Sequence, residues 1–308
     1  MKKLEQLKKQ LLAEVTDNHG FLEVKDGKRL FYRYWLPDGN PKCVILFVHG
    51  LSLHSGSAPY GANIAEPVLR DYGAAVYAFD MRGHGFSDGV GGDYPKIDLV
   101  MDDLARQVEF IKSQHRKVPV FLYGHDVGGL QVMNYAGNYG TSLSGSIVTG
   151  YAPTVRMDHY QMGKPGFGEQ LKMAFTPLFK RGATISRVLT LDHYERRGGK
   201  DPETIKMLKV VADDPLAVTA YSIRFYFGSG VRKEFENARK IKKPFLMILG
   251  DRDQMFEPDP ARQVLDEVAS NIKSLRVLEN VDHYSVITEA QKTIVQWLEK
   301  LEMAGLAK

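Results

Sequence analysis

The chain has 308 residues, of which 44% are hydrophobic and 25% are charged, so it can bury a large core, either as one enlarged α/β domain or as two domains. Its 41 Lys and Arg exceed its 37 Asp and Glu by 4, without the clustered basic stripe or motifs of a nucleic-acid-binding protein, so we expect no nucleic-acid partner. The single cysteine, Cys43, excludes a disulfide framework and a cysteine-rich metal site, and it is typical of a cytoplasmic protein.

The first residues predict an amphipathic helix, because apolar side chains recur at helical spacing opposite a set of lysines. The apolar residues are Leu4, Leu7, Leu11, Leu12 and Val15, and the lysines are Lys2, Lys3, Lys8 and Lys9. We assign residues 1–19 to this N-terminal helix and expect it to pack on the body; the alternative is a helix that lies on a membrane surface.

Membrane insertion is not expected from the sequence. The N-terminus lacks the apolar core of a signal peptide, and no stretch approaches the ~18 uninterrupted apolar residues of a spanning helix. We therefore expect a soluble protein whose contact with membranes is at most peripheral.

Short β-rich runs alternate with helical segments through much of the chain. Two alternating runs at 21–24 and 30–35 flank a turn-rich link and predict an antiparallel hairpin. Apolar runs typical of buried strands lie at 44–48, 74–79, 120–123, 145–149, 245–249 and 275–278, and helical segments lie near 61–72, 97–116, 128–139, 259–271 and 288–302. This pattern predicts an α/β fold with a mostly parallel, doubly wound sheet, and places the chemistry at the carboxyl ends of its strands.

One interval, residues 153–240, breaks the alternation because it has no clear buried strand. We interpret it as a helical cap inserted into a core made of residues 20–152 and 241–308. Met157, Phe179 and Phe225 are candidates for substrate contact, since Met and Phe suit irregular apolar ligands. The alternative is that such residues form the small core of the cap itself.

Residues 124–128, Gly-His-Asp-Val-Gly, predict a sharp turn between a strand and a helix. The glycines let strand and helix approach closely, and the turn holds its central side chain, Asp126, clear of the sheet edge. Such a turn is a nucleophile elbow, with a carboxylate here in the place of the usual serine. The alternative is an ordinary connection that carries a surface Asp126.

A second motif follows the first buried strand. After His49 and Gly50, the backbone N–H of Leu51 is expected to join that of Val127 in an oxyanion hole for a tetrahedral intermediate.

Two histidines lie in loops near these motifs, His54 and His125. We interpret them as structural or as part of the substrate pocket. Asp80 and Arg82, in the glycine-rich loop after the strand at 74–79, are expected to hold that loop in place.

An acid and a histidine follow later strands. Asp253 comes after the strand at 245–249, with Asp251 as the neighbouring alternative, and His283 comes after the strand at 275–278. The chain order of nucleophile position, acid and histidine is that of a hydrolase triad. Because Asp126 and Asp253 are expected on opposite sides of His283, they should raise its pKa.

Together these motifs resemble the monoacylglycerol lipase and lysophospholipase branch of the α/β-hydrolase superfamily, of the serine aminopeptidase S33 type. The segments that carry the resemblance are 49–55, 80–87, 119–125, 214–216 and 250–253. The resemblance spans roughly residues 20–300 and implies an α/β-hydrolase that cleaves a carboxylic ester or lipid. It also implies that Asp253 and His283 complete a triad and that Leu51 and Val127 supply the oxyanion N–H groups. No ligand cluster or dinucleotide motif appears, so we expect neither metal nor cofactor.

Asp126 departs from this family, which has serine, and leaves three functions open. A carboxylate attacks an ester carbonyl poorly and gives a reactive mixed anhydride, so an ester hydrolase with Asp126 is expected to be weak or inactive. A carboxylate suits an sp³ carbon instead, and the elbow resembles those of dehalogenases and epoxide hydrolases. The third function is the binding of a small apolar ligand without catalysis.

The surrounding residues favour the ester hydrolase. Val127 stands where those carboxylate-using families have an aromatic residue, and residues 49–52 read His-Gly-Leu-Ser, without the proline of epoxide hydrolases. If Asp126 is itself the nucleophile, the candidate acids are Tyr160, Tyr194, Tyr221 and Tyr226.

Overall fold

The structure is built on an eight-stranded sheet. It is a computed structural model that describes residues 2–57, 61–93, 97–153, 190–196, 200–222, 225 and 234–306. The strands are β1 (His19–Glu23), β2 (Arg29–Trp35), β3 (Cys43–Val48), β4 (Ala74–Phe79), β5 (Val120–His125), β6 (Gly145–Thr149), β7 (Phe245–Gly250) and β8 (Lys273–Leu278).

The sheet is mixed, with one antiparallel end. Its order is β1-β2-β4-β3-β5-β6-β7-β8. Strands β3 to β8 run parallel to one another, whereas β2 pairs antiparallel with both β1 and β4. The predicted hairpin and the predicted mostly parallel sheet are therefore confirmed.

Helices connect the strands. Within the described residues they are α1 (Lys2–Ala13), α2 (Ala62–Tyr72), α3 (Ile97–Gln114), α4 (Val127–Tyr139), α5 (Leu191–Arg196), α6 (Pro202–Asp213), α7 (Glu234–Ala238), α8 (Pro258–Glu267), α9 (Val286–Glu289) and α10 (Gln291–Met303). The helical segments expected in the core correspond to α2, α3, α4, α8 and the consecutive pair α9 and α10.

The central strands are mostly apolar, as is typical of parallel strands in a sheet covered on both faces. Every residue of β3, β4, β5, β6 and β7 is buried, whereas the edge strand β8 is only partly covered. Cys43, at the start of β3, is 3% exposed. Burial raises the pKa of its thiol to about 12, because a thiolate would lose its hydration there.

The predicted N-terminal helix is observed as α1, but it ends at Ala13 instead of extending to residue 19, where β1 begins. The side chains of Leu7, Leu11, Leu12 and Val15 are partly buried, while Leu4 remains exposed. Burial lowers the pKa of Lys8, against the attraction of carboxylates in and just after the 80–87 loop. The helix therefore lies near the loop that follows β4, and its contact with membranes stays a prediction.

A buried ion-pair cluster ties three parts of the molecule together. Arg82, after β4, donates to Asp103 of α3 and to Asp26 of the β1–β2 turn, each at 2.8 Å. The side chains of Arg82 and Asp103 are both 6% exposed, and that of Asp26 is 40% exposed. Asp80 accepts the N–H of Ser55 with one carboxylate oxygen and the N–H of Phe86, in its own loop, with the other. Asp80 and Arg82 therefore both hold the loop after β4, as expected.

The predicted cap is described only in part. Met157, Phe179, Tyr160 and Tyr226 lie outside the described residues. The described parts of the interval include α5, α6, α7, the segment 214–222 and Phe225. Among the described residues, none of the helices has the length and apolar character needed to cross a membrane.

Candidate active site

The turn between β5 and α4 is a strained elbow with Asp126 at its tip. Asp126 has φ 53° and ψ −125°, a conformation that residues with a side chain rarely adopt. A Cβ on Gly124 would lie 2.3 Å from the carbonyl oxygen of Gly128, and a Cβ on Gly128 would lie 2.1 Å from that of Val48. Only glycine therefore permits the approach of strand and helix that raises Asp126 above the sheet.

The carboxylate of Asp126 occupies the predicted oxyanion hole. Its Oδ2 accepts the backbone N–H of Leu51 at 2.9 Å, and the backbone N–H of Val127 lies near enough to the same carboxyl group to act toward a lower pKa. The structure thus brings Leu51, Val127 and Asp126 together, and the Leu51 N–H is already bonded to a carboxylate oxygen of the chain itself.

The charge of Asp126 is set by opposing effects. Burial raises the pKa of its carboxyl group, since the residue is only 8% exposed, and Asp253 adds to the increase. The positive charge of His283 and the N–H groups of Leu51 and Val127 act in the opposite direction. The net direction of the pKa shift is upward.

His283 and Asp253 form a buried pair at the ends of β8 and β7. His283 Nδ1 lies 3.1 Å from Asp253 Oδ2, and both side chains are at most 3% exposed. The other oxygen of Asp253 accepts the N–H groups of Met255 and Phe256 at 2.8 and 2.9 Å, which fixes the orientation of the carboxylate. Asp251 is exposed and accepts a backbone N–H instead, so Asp253 is the acid that contacts the histidine.

The pKa of His283 is raised, as expected from the sequence. Burial lowers it, but the attraction and hydrogen bond of Asp253, with further attraction from Asp126 and Asp282, outweigh that effect. The carboxyl groups of Asp253 and Asp126 therefore both stabilise the positive charge of the His283 imidazolium, and all three side chains are buried.

His49 stabilises the loop after β3, residues 49–55, which we call the oxyanion loop. Its Nε2 accepts the N–H of Met81 at 2.9 Å, so Nδ1 carries the hydrogen and donates to the carbonyl of Gly50, also at 2.9 Å. Burial lowers the pKa of His49 to about 4, which keeps the ring neutral. A Cβ on Gly50 would lie 2.9 Å from that of Asp126, so the loop passes directly beside the elbow.

His125 lies next to the predicted catalytic histidine. The centroids of the His125 and His283 rings are 4.9 Å apart, and His125 Nδ1 is 3.3 Å from the hydroxyl of Thr149. Burial holds the pKa of His125 well below its ordinary value. The side chain packs against the site as a neutral ring.

His54 and Phe225 are buried against residues of the 214–222 segment. His54 Nε2 lies 2.8 Å from Asp214 Oδ2. Burial raises the pKa of Asp214, but the hydrogen bond and charge of His54 outweigh burial, so the pKa is lowered overall. The Phe225 ring contacts that of Tyr221, with centroids 4.6 Å apart. Substrate contact by His54, His125 and Phe225 stays a prediction.

Two of the four candidate tyrosines are described, and both hydroxyl groups have partners. The Tyr221 hydroxyl accepts the N–H of Ser52 at 2.6 Å, and that of Tyr194 accepts the N–H of Asp201 at 3.2 Å. The contact between Ser52 and Tyr221 was missed in the sequence, because it joins positions 169 residues apart and no local pattern marks it. Within the described residues, no three His, Cys, Asp or Glu side chains are grouped to hold a metal ion.

Comparison with known proteins identifies relatives along almost the whole chain. The profile of Hydrolase_4 (serine aminopeptidase, S33) matches residues 39–291. The chain is 27% identical over 292 residues to a monoacylglycerol lipase of Mycolicibacterium smegmatis, covering 92% of this chain and 96% of the relative. It is 26% identical over 269 residues to a monoglyceride lipase of Mus musculus, covering 84% and 80%.

Solved structures show the same fold. A monoacylglycerol lipase of Paleococcus ferrophilus has a TM-score of 0.68 and 24% identity, covering 88% of this chain and 98% of that one. A soluble variant of monoglyceride lipase from Saccharomyces cerevisiae has a TM-score of 0.72 and 20% identity, covering 93% and 96%. These similarities confirm the predicted α/β-hydrolase fold.

Proposed function

Because the chain belongs to the Hydrolase_4 (serine aminopeptidase, S33) family, in its monoacylglycerol lipase-like branch, we propose a specific form of ester hydrolysis for it. It acts on carboxylic esters through Asp253, His283 and the N–H groups of Leu51 and Val127. Asp126 takes the position of the serine nucleophile, so ester turnover by the chain with Asp126 is weak.

A single observation carries this proposal, namely the hydrogen bond from Leu51 N–H to Asp126 Oδ2 at 2.9 Å. In acyl transfer the N–H groups of the oxyanion hole must receive the carbonyl oxygen of the ester as it becomes an oxyanion. Here the substrate has to displace the Asp126 carboxylate oxygen from the Leu51 N–H. The carboxylate is also a poor nucleophile toward a carbonyl carbon, so two effects act in the same direction.

With serine at position 126 the same residues supply a complete mechanism. His283 accepts the proton of the hydroxyl group on Nε2 while its Nδ1–H donates to Asp253. The serine oxygen attacks the ester carbonyl, and His283 gives its proton to the departing alcohol, which leaves an acyl-serine. Water activated by His283 then hydrolyses the acyl-serine and releases the acid. Because Oδ2 would no longer be present, the N–H groups of Leu51 and Val127 would be free for the oxyanion.

The proposed substrate is an ester with a long apolar acyl group, of the monoacylglycerol type. Two relatives are named as a monoacylglycerol lipase and a monoglyceride lipase, which supports the monoacylglycerol type. We assign residues 153–240 to a cap over the core of residues 20–152 and 241–308. Met157, Phe179 and Phe225 of this cap are proposed to contact the acyl chain.

The experiment compares the chain with Asp126→Ser on short-chain and long-chain esters, including a monoacylglycerol. We expect Asp126→Ser to raise kcat/KM by at least ~100-fold, since it restores the nucleophile and frees the hole. The matched control is Asp126→Ala, which frees the hole without supplying a nucleophile and should stay inactive. His283→Ala in the serine background should abolish the gain. An inactive Asp126→Ser protein that is folded would contradict the proposal.

A second candidate function uses Asp126 itself. With Oδ2 held by the backbone, Oδ1 would be the attacking atom on an sp³ carbon and would displace halide or open an epoxide. Water activated by His283 would then attack Asp126 Cγ, releasing the alcohol and restoring the carboxylate. An epoxide oxygen would need a proton donor.

Mass spectrometry separates the two functions. After incubation of His283→Gln with a terminal epoxide or a haloalkane, the second function gives an alkyl ester on Asp126, and the first gives no adduct. Binding of an apolar ester without turnover by either the Asp126 or the serine form would indicate the third function, ligand binding alone.

A further inference from the structure

Ser52, next to the oxyanion donor Leu51, has an unusual backbone. Its φ is +61°, the left-handed region that residues other than glycine and asparagine seldom occupy. The residue is 2% exposed. A left-handed serine persists where surrounding contacts hold it, so the neighbours of Ser52 decide the conformation of the oxyanion loop.

Those neighbours come from one segment, residues 214–222, which we call the strap. The N–H of Ser52 donates to the Tyr221 hydroxyl at 2.6 Å, and the Ser52 hydroxyl donates to the carbonyl of Val218 at 2.7 Å. Two residues on, His54 is bonded to Asp214 at 2.8 Å. Three hydrogen bonds therefore connect the strap to the oxyanion loop.

The strap is itself anchored to a second loop of the core. His84 Nε2 lies 3.2 Å from the Tyr221 hydroxyl. Ser222 donates its N–H to Gly92 at 2.8 Å and its hydroxyl to Asp93 at 2.5 Å. Both loops follow strands of the sheet, so the strap has a fixed base from which to hold Ser52.

Leu51 lies between two restrained peptide groups. On one side, the carbonyl of Gly50 is bonded to His49 Nδ1 at 2.9 Å. On the other, the strap holds the N–H and the side chain of Ser52. The Leu51 N–H belongs to the Gly50–Leu51 peptide group, so the strap acts on it through the Cα of Leu51. If the strap bonds were lost, Ser52 would relax toward negative φ, the Leu51–Ser52 peptide group would shift, and the Cα of Leu51 would move the adjoining N–H away from position 126.

We propose that Ser52 and Tyr221 are positioning residues, which aim the Leu51 N–H at the oxyanion and so make the strap a working part of the oxyanion hole. The catalytic role of these two residues rests on the proposed function. Their effect on the direction of the Leu51 N–H does not, because in the Asp126 chain the same N–H is bonded to the Asp126 carboxylate.

The kinetic test is Tyr221→Phe in the Asp126→Ser background. It removes the acceptor of the Ser52 N–H and keeps the ring, so we expect kcat on a monoacylglycerol to fall about tenfold while KM changes less than about twofold. The matched control is Tyr77→Phe, which removes a buried tyrosine hydroxyl that lies 2.8 Å from His115 Nε2, in the middle of β4. Its kcat should be unchanged.

A second pair of variants acts at the other strap contact. Ser52→Gly and Ser52→Ala both lose the bond to Val218, but only glycine accepts a positive φ without strain. We expect Ser52→Gly to keep more activity than Ser52→Ala. Equal kcat in Ser52→Ala and the Asp126→Ser parent would overturn the role of Ser52.

The Leu51 amide gives a readout that needs no activity. In the Asp126 chain, its ¹H chemical shift should move upfield in Tyr221→Phe as its bond to the carboxylate weakens, and should not move in Tyr77→Phe. An unmoved Leu51 amide in a folded Tyr221→Phe protein overturns the positioning role. If the amide moves but Asp126→Ser has no activity, the positioning role stands and the proposed ester hydrolysis fails.

Discussion

At the scale of single residues, the site contains one imidazole between two buried carboxylates. His283 is bonded to Asp253 at 3.1 Å, and its pKa is raised by Asp253 and further by Asp126. A serine at position 126 would keep the bond to Asp253 but would remove the second negative charge. Position 126 therefore controls both the nucleophile and the proton affinity of the base.

This predicts a measurable difference in titration. The pKa of His283, followed by ¹H–¹⁵N NMR of its ring, should be lower in Asp126→Ser than in the Asp126 chain, because less negative charge stabilises the imidazolium. Asp126→Asn, a neutral side chain of the same shape, is the control and should lower the pKa in the same direction. A His283 pKa that is equal in all three proteins would show that Asp126 carries no charge there.

The same shift has a kinetic consequence. With serine at position 126, His283 must be neutral to act as the base. The kcat/KM of Asp126→Ser should therefore rise with pH through the pKa of His283 in the free enzyme. Any hydrolysis that the Asp126 chain performs with His283 as base should show this rise at a higher pH.

The sequence places Asp126, Asp253 and His283 just after predicted strands, and in the structure they follow β5, β7 and β8. Their roles in a triad stay a prediction. The sequence left Asp251 and Asp253 as alternatives, and the backbone N–H groups of Met255 and Phe256 distinguish them by fixing Asp253 toward His283. It did not predict that Asp126 would take the Leu51 N–H, since that depends on the orientation of one side chain.

At the scale of elements, the elbow depends on close contact between β5, α4 and β3. The positions of Gly124 and Gly128 leave no room for a side chain. Gly140, at the end of α4, differs: its φ is −62°, and a Cβ there would lie 3.9 Å from the nearest neighbouring atom. Glycine is thus needed at one end of this helix and replaceable at the other.

Alanine substitutions test this asymmetry. Gly128→Ala should lower the free energy of unfolding by more than about 3 kcal/mol, because its Cβ would meet the backbone of β3. Gly140→Ala should leave it unchanged or raise it by up to about 1 kcal/mol, because alanine restricts the unfolded chain. Urea unfolding followed by circular dichroism measures both, and equal effects would contradict the packing described here.

Element positions were predictable from apolar runs, but their arrangement was not. The runs gave each core strand and helix to within a few residues. The order of the strands, in which β2 lies between β1 and β4, and the contacts of the strap depend on pairings between distant residues. Such pairings leave no periodic signal in the chain.

At the scale of the whole molecule, Arg82 connects the antiparallel end of the sheet to its parallel body. Its guanidinium group bonds Asp26 of the hairpin turn and Asp103 of α3. A neighbouring pair, Lys25 and Asp102, joins the same two elements at the surface, with side chains 81% and 43% exposed. Asp102 and Asp103 therefore serve the same connection between the hairpin turn and α3, but the Asp103 side chain is buried and the Asp102 side chain is partly exposed.

Neutralising each aspartate in turn should separate these contributions. Asp103→Asn should lower the free energy of unfolding by about 3 kcal/mol, because it leaves a buried guanidinium group without its buried partner. Asp102→Asn should change it by less than about 0.5 kcal/mol, because an exposed pair contributes little in water. Denaturant unfolding of both variants measures the difference, and a loss of similar size in Asp102→Asn would refute this assignment.

The burial of Cys43 has a practical consequence for labelling. The chain has one cysteine, and its thiol is both enclosed in the sheet and held in the unreactive protonated form at neutral pH. A cysteine introduced at Val90, which is 69% exposed in the loop beside the strap, would then be the one thiol open to maleimide reagents. A single fluorophore at that position could follow movement near the oxyanion loop in the native enzyme without removing any natural residue of the core.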